Sequence, residues 1–235
     1  EVAKAMPVVL VAEGRSTEKE ELGVEDIERL ADEAEKAEEA GNYQKAITLL
    51  NQILVLEKRF LGEEHQDVGS TLAWIGSIYQ DQGLYSKAKP LYLRALAIYE
   101  KALGPEHPDT ANSLNNLALL YYNQGLYSNS EPLYLRALAI YEKVLGPEHL
   151  DTANSLNNLA LLYSNQGLYD KADPLFLRAL AIREKALGPE HPDTANSLNN
   201  LAFLYHNQGL YSKAELLYLR ALAIYEKALG PEHPD

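Results

Sequence analysis

Cysteine is absent from all 235 residues. That excludes disulfides, thiolate metal sites and a thiol nucleophile, and nothing in the chain demands an oxidising compartment. Tryptophan and methionine occur once each. Basic charge is scarce, with 21 Lys and Arg against 34 Asp and Glu, for a net charge of −13. Nucleic-acid binding draws on a basic footprint, which is missing, and an anionic membrane surface is disfavoured for the same reason. No run approaches the ~18 apolar residues that a membrane span needs. No Ser/His/Asp set, phosphate loop or paired-acid motif stands out, so neither an enzyme nor a cofactor is expected.

What the sequence does contain is a repeat. The 42 residues from Ala111 to Thr152 return as Ala153 to Thr194 with 9 changes. Self-similarity at a fixed period of about 20–50 residues marks a stacked array whose units bury their core against neighbours. Gly41, Gly83, Gly125, Gly167 and Gly209 fall one per copy. The expected division is a lead segment 1–23, a divergent first copy 24–68, then copies 69–110, 111–152, 153–194 and 195–235, the last with a truncated link to a sixth. Residues 1–68 carry 17 acidic and 8 basic side chains, so most of the negative charge sits there. The chain begins without Met and reads as a fragment or a processed form. Its run Met6–Ala12 reads either as a signal-segment remnant or as a short element packed on the first copy. Cytoplasmic location is the expectation, with export the alternative if that run is a remnant.

Punctuation within a copy predicts two helices. Asp109 and Thr110 supply capping oxygens at the start of the first. Leu114, Leu117, Ala118 and Tyr121 follow i, i+3, i+4, i+7. Gly125 ends that helix. Ser128-Asn129-Ser130-Glu131 reads as a capping box for the second, with Pro90, Pro132 and Pro174 in its opening turn. Leu133, Tyr134, Ala137, Leu138 and Tyr141 form the apolar face, and Gly146-Pro147 stops it. His65, His107, His149, His191 and His233 recur beside acids. Packed helices sit ~10 Å apart, too far for one ion with ~2 Å bonds, so a cap or linker role is expected and no metal.

Leu114, Leu117, Ala118, Tyr121, Gly125, Tyr127, Tyr134 and Ala137 resemble the packing residues of a tetratricopeptide repeat, with Ser130 in place of the usual Ala. The 42-residue unit, with LNNLA, ALAIYEKALG and GPEHPDT, is similar to the variant of kinesin light chains and many bacterial repeat proteins. The resemblance implies an all-α, right-handed α-solenoid of about five antiparallel helix pairs. It implies a protein–protein interaction scaffold whose first helices line a concave face that holds a peptide or partner protein.

On that face the third copy carries Asn112, Asn115, Leu119, Tyr122 and Asn123. The fourth carries Asn154, Asn157, Leu161, Ser164 and Asn165, and the fifth Asn196, Asn199, Phe203, His206 and Asn207. Asn116, Asn158 and Asn200 lie at its edge. Asn costs roughly 0.5–0.7 kcal/mol against Ala inside a helix, so something must offset so many. Side-chain amides can pair with any peptide backbone; alternatively, they bond to each other and to backbone between copies. Leu119, Leu161 and Phe203 would add an apolar strip. Tyr122, Ser164 and His206 differ at one place, as specificity or as drift. Glu28, Glu35, Glu38 and Glu39 fill the face in the first copy, which predicts basic residues on a partner there or simply a solvated acidic helix. The first helices of copies three to five hold no Lys or Arg, which argues against a clamp for a C-terminal carboxylate. Two alternatives stay open: end-to-end self-association, and a sensor part of a larger protein with a separate effector domain.

Overall fold

The computed structural model describes residues 18–229. Residues 1–17, with the run Met6–Ala12, and residues 230–235, with Glu232 and His233, lie outside them. The described residues form ten helices and no strand: α1 Glu18–Glu39, α2 Tyr43–Phe60, α3 Gln66–Asp81, α4 Tyr85–Ala102, α5 Pro108–Asn123, α6 Tyr127–Val144, α7 Leu150–Asn165, α8 Tyr169–Leu187, α9 Pro192–Asn207 and α10 Tyr211–Leu229. The fold is an all-α repeat solenoid. It divides into two compact units, one ending at Gln124 with α1–α5, the other starting at Gly125 with α6–α10. In the first, α1 packs on α2 and α3 on α4; in the second, α7 packs on α8 and α9 on α10. No helix among the described residues is long and apolar enough to cross a membrane.

The first helices bury the expected stripe. Leu114, Leu117 and Ala118 are at most 3% exposed, as are Leu156, Leu159 and Ala160. Each helix of this kind stops two residues before a left-handed glycine, as at Gly125 with φ +71°, a conformation that costs a side chain strain. The second helices stop before another, as at Gly146 with φ +98°.

Three local expectations are corrected. First, the starting cap of α5 is not Asp109 or Thr110 but His107, whose Nδ1 accepts from the Asp109 N–H at 3.2 Å. His149 and His191 do the same for α7 and α9. Thr110 instead donates back to the Gly104 carbonyl at 2.8 Å, which closes the link. Second, there is no capping box at Ser128. The residue before α6 is Leu126, which makes no side-chain cap bond, and Ser128 lies inside the first turn. Third, Pro90, Pro132 and Pro174 are not in the opening turn. Each is the sixth residue of its helix, where its missing N–H removes a real bond to the carbonyl four residues back. All three are exposed, so their rings clear the neighbouring helices.

α1 starts at Glu18, inside the lead segment expected at 1–23, and runs through Gly23. Gly23 is not a break there. A Cβ on it would stand 2.6 Å from Cε2 of Phe60, so the position is glycine for close approach to the end of α2.

Candidate functional site

The first helices carry the expected residues, but the structure divides them by what they touch. In the first unit, α3 and α5 are neighbours. Asn112, Asn115, Asn116, Leu119 and Tyr122 of α5 are half-buried and Asn123 is exposed. The Asn112 amide donates to Asp109 at 3.4 Å. The side-chain oxygen of Asn115 is buried without a hydrogen bond.

In the second unit, α7 and α9 are neighbours. Asn157 is buried, 8% exposed, and its oxygen accepts from the Asn200 amide at 2.8 Å. This pair therefore stacks one first helix on the next. Asn158 and Asn199 are half-buried and make no side-chain hydrogen bond among the described residues. Asn154, Asn165, Asn196 and Asn207 are exposed. Asn154 accepts from Arg183 at 2.7 Å and Asn196 from Tyr225. Phe203 of α9 is 46% exposed and Leu161 of α7 is half-buried. At the variable place, Ser164 is buried with an unpartnered hydroxyl, while His206 is exposed and meets Tyr211 edge-on at 5.3 Å.

The acidic face of α1 is also divided. Glu38 accepts from the indole of Trp74 at 2.6 Å, across to α3. Trp74 holds the place that Asn116, Asn158 and Asn200 hold in later copies. Glu28 and Glu39 are exposed and Glu35 is half-buried.

A second set of polar contacts, which the sequence did not reveal, runs from the second helices to first helices. Glu57, Tyr99, Tyr141, Arg183 and Tyr225 occupy equivalent places. Arg183 donates to the Ser197 hydroxyl and the Asn154 oxygen; burial pulls its guanidinium below the usual range, against the pull of Asp193. The Tyr99 hydroxyl is 2.7 Å from that of Ser70. Glu57 is fully buried, takes a 2.9 Å bond from Thr71 and has its other oxygen unpartnered. The only signal for this site in the sequence was one column varying Glu, Tyr, Arg among matching copies. Among the described residues, no cluster of three or more His, Asp or Glu is placed to hold a metal.

These features have counterparts among known proteins. The tetratricopeptide repeat family matches over residues 67–128, 112–185 and 157–227, well over half of the chain. A search of curated proteins finds no match. Among solved structures, BtubC (BKLC) of P. vanneervenii is 27% identical, with TM-score 0.74 over 92% of this chain and 91% of that one. A putative kinesin light chain of Podospora anserina with nearly identical repeats is 29% identical, with TM-score 0.71 over 86% and 96%. RapI in its apo form, 17% identical with TM-score 0.71 over 86% and 71%, shares the fold. Helix pairs, glycine punctuation and these matches together place the chain in the tetratricopeptide repeat family, in the kinesin-light-chain-like type with a 42-residue unit.

Proposed function

We propose that this tetratricopeptide repeat protein is a protein-interaction scaffold that holds an extended peptide on the face of its first helices, with α7 and α9 as the core of the site. The fold is a non-enzymatic scaffold type that serves protein–protein interaction in general. The observation that carries the finer reading is the state of Asn158 and Asn199. Both are half-buried, both sit in helix interiors, and no group among the described residues hydrogen-bonds either amide. An unengaged amide costs helix propensity and returns nothing in the free chain. A peptide backbone laid across α7 and α9 would satisfy donor and acceptor alike, whatever its side chains. Phe203, Leu161 and His206 on the same helices would then read those side chains.

Asn157 has a different part. Its bond to Asn200 preorganises the two helices, so binding costs less ordering. On α5, Asn115 with its buried, unpartnered oxygen is the counterpart candidate, beside Asn116, Leu119 and Tyr122. Glu28, Glu35 and Glu39 favour a partner with basic residues at the α1 end; Glu38 is committed to Trp74.

The test is peptide-library panning on the intact chain against an Asn158→Ala, Asn199→Ala variant of equal helicity by circular dichroism. Asn157 is left alone, since its loss would disturb packing. Peptides that bind the parent and lose at least about tenfold in affinity on the variant carry the reading. Peptides that bind both equally would sink it.

A further inference from the structure

Inside the second unit two first helices, α7 and α9, are neighbours. Leu161 and Phe203 hold the same place on them, one copy apart. Leu161 is half-buried although α7 also packs on α6 and α8, so its open side belongs to the interior of the array and not to an end. Asn157 and Asn199 stand four residues before them, and Asn158 and Asn200 three before. On a helix those spacings put amide and apolar group on one face. The Asn157–Asn200 bond of 2.8 Å takes one amide from each helix. On α7 that leaves Asn158 beside Leu161, without a hydrogen bond among the described residues. α7 and α9 contain no Lys or Arg, and their only acids, Asp151 and Asp193, lie in the first turn. The middle of this face is therefore made of amides and apolar groups, repeated once per helix.

Spacing then decides which peptide fits. Helices packed side by side sit about 8–10 Å apart. A β-strand rises about 3.3 Å per residue and turns successive side chains to opposite faces. Its same-face positions come at about 6.6 Å and about 13 Å, one short of the helix step and one beyond it. A polyproline II segment has three residues per turn and rises about 3.1 Å per residue, so every third side chain returns to one face after about 9.3 Å. That matches one step from α7 to α9. Such a backbone makes no hydrogen bonds of its own. Each turn therefore offers carbonyls, and an N–H wherever proline is not present, to an amide such as Asn158.

We propose that the α7–α9 face takes a polyproline II segment of a partner protein, with apolar side chains at every third residue seated on Leu161 and Phe203 and uncharged residues between them. This rests on the reading of the face as a peptide site, and adds the conformation and the spacing of the peptide. Proline between the apolar residues suits the site, because it presets the backbone and lowers the ordering cost of binding. A carboxylate in its place would meet no Lys or Arg of α7 or α9.

Three fluorescein-labelled peptides test it. Each has four leucines in a background of proline and serine, with the leucines recurring every two, three or four residues. Each is titrated into the intact 235-residue chain and followed by anisotropy. The three-residue spacing is expected to bind saturably, and the other two at least about tenfold more weakly. Replacing its prolines with glycine should weaken it several-fold, since glycine keeps the leucine spacing and removes the preset backbone. Phe203→Ser, at an exposed side chain, should bring the three spacings close together. Equal binding of all three to the parent chain, a preference for two or four, or no binding of any overturns the proposal. Panning separates that failure from failure of the peptide site itself. Ligands that still depend on Asn158 and Asn199 keep the site and discard the spacing, whereas ligands indifferent to both asparagines discard both readings.

Discussion

Glu57 spends its whole surface inside the first unit, and the groups around it decide its charge. Thr71 donates to one oxygen, while Asp67, itself 3% exposed, lies close enough to repel. Tyr99 and His65 complete the surroundings, with His65 3.5 Å from Asp67. Burial, only partly countered by the Thr71 bond, pushes the Glu57 carboxyl up to about 7. Burial raises Asp67 too, against the pull of His65. A carboxyl raised on folding favours the protonated native state, so its stability is full below the unfolded value near 4.5 and is lost as pH rises through 7. The difference is about 3 kcal/mol across that window. Trp74, the sole tryptophan, sits in the same unit and reports it. The urea midpoint of its fluorescence is expected to fall between pH 5 and pH 8, and Glu57→Gln should flatten most of that slope. An equal slope in both proteins would refute the assignment. The column Glu57, Tyr99, Tyr141, Arg183, Tyr225 was readable as a variable place in otherwise matching copies. What each side chain reaches was not, because the partners lie 14 to 29 positions away on other helices.

Each helix has its boundary from a different device, and the devices differ in legibility. Glycines after both helices were readable, since only a residue without Cβ takes those angles freely. The imidazole caps were harder to read, because histidine is not among the usual capping residues. His107→Ala should cost about 1 kcal/mol, the ordinary loss for a side-chain N-cap, as a lowered midpoint in urea. An unchanged midpoint would make the Nδ1 bond incidental. The second helices begin two residues earlier than their serines suggest, and that shift moves the prolines from a harmless place to a costly one. Pro174→Ala restores an N–H to the α8 ladder at an exposed site. It should raise the thermal midpoint, with a gain between about 1 and 3 kcal/mol. A fall instead would mean the ring itself is needed. α10 already carries Leu216 at this place and remains helical.

Across the whole chain, stability in a repeat array is a sum of units and neighbour interfaces. α8 has both neighbours within its unit, whereas α10 keeps Tyr218, Leu219 and Leu222 open. Amide hydrogen exchange is expected to run faster in α10 than in α8 in the 235-residue chain. Equal protection in the two helices would contradict the exposure of Tyr218, Leu219 and Leu222. At this scale the sequence was most informative, since a period of 42 and five glycines are enough for helix pairs and family. The binding face was half legible. Its asparagines could be named, but copies that look alike, Asn157 and Asn199, differ: one is buried in a stacking bond and the other makes no side-chain hydrogen bond among the described residues. Periodicity cannot separate the two, because it describes the copy and not its neighbours.

The duplicated α6–α7 and α8–α9 junctions have a genetic consequence. Because the surfaces on either side of copy 153–194 match those of copy 111–152, an in-frame loss of one copy rejoins compatible faces, and an in-frame gain inserts a piece that fits on both sides. A chain one copy shorter or longer would thus present the same side chains at every such junction. Selection could then tune the reach of the binding face by copy number before altering any single residue.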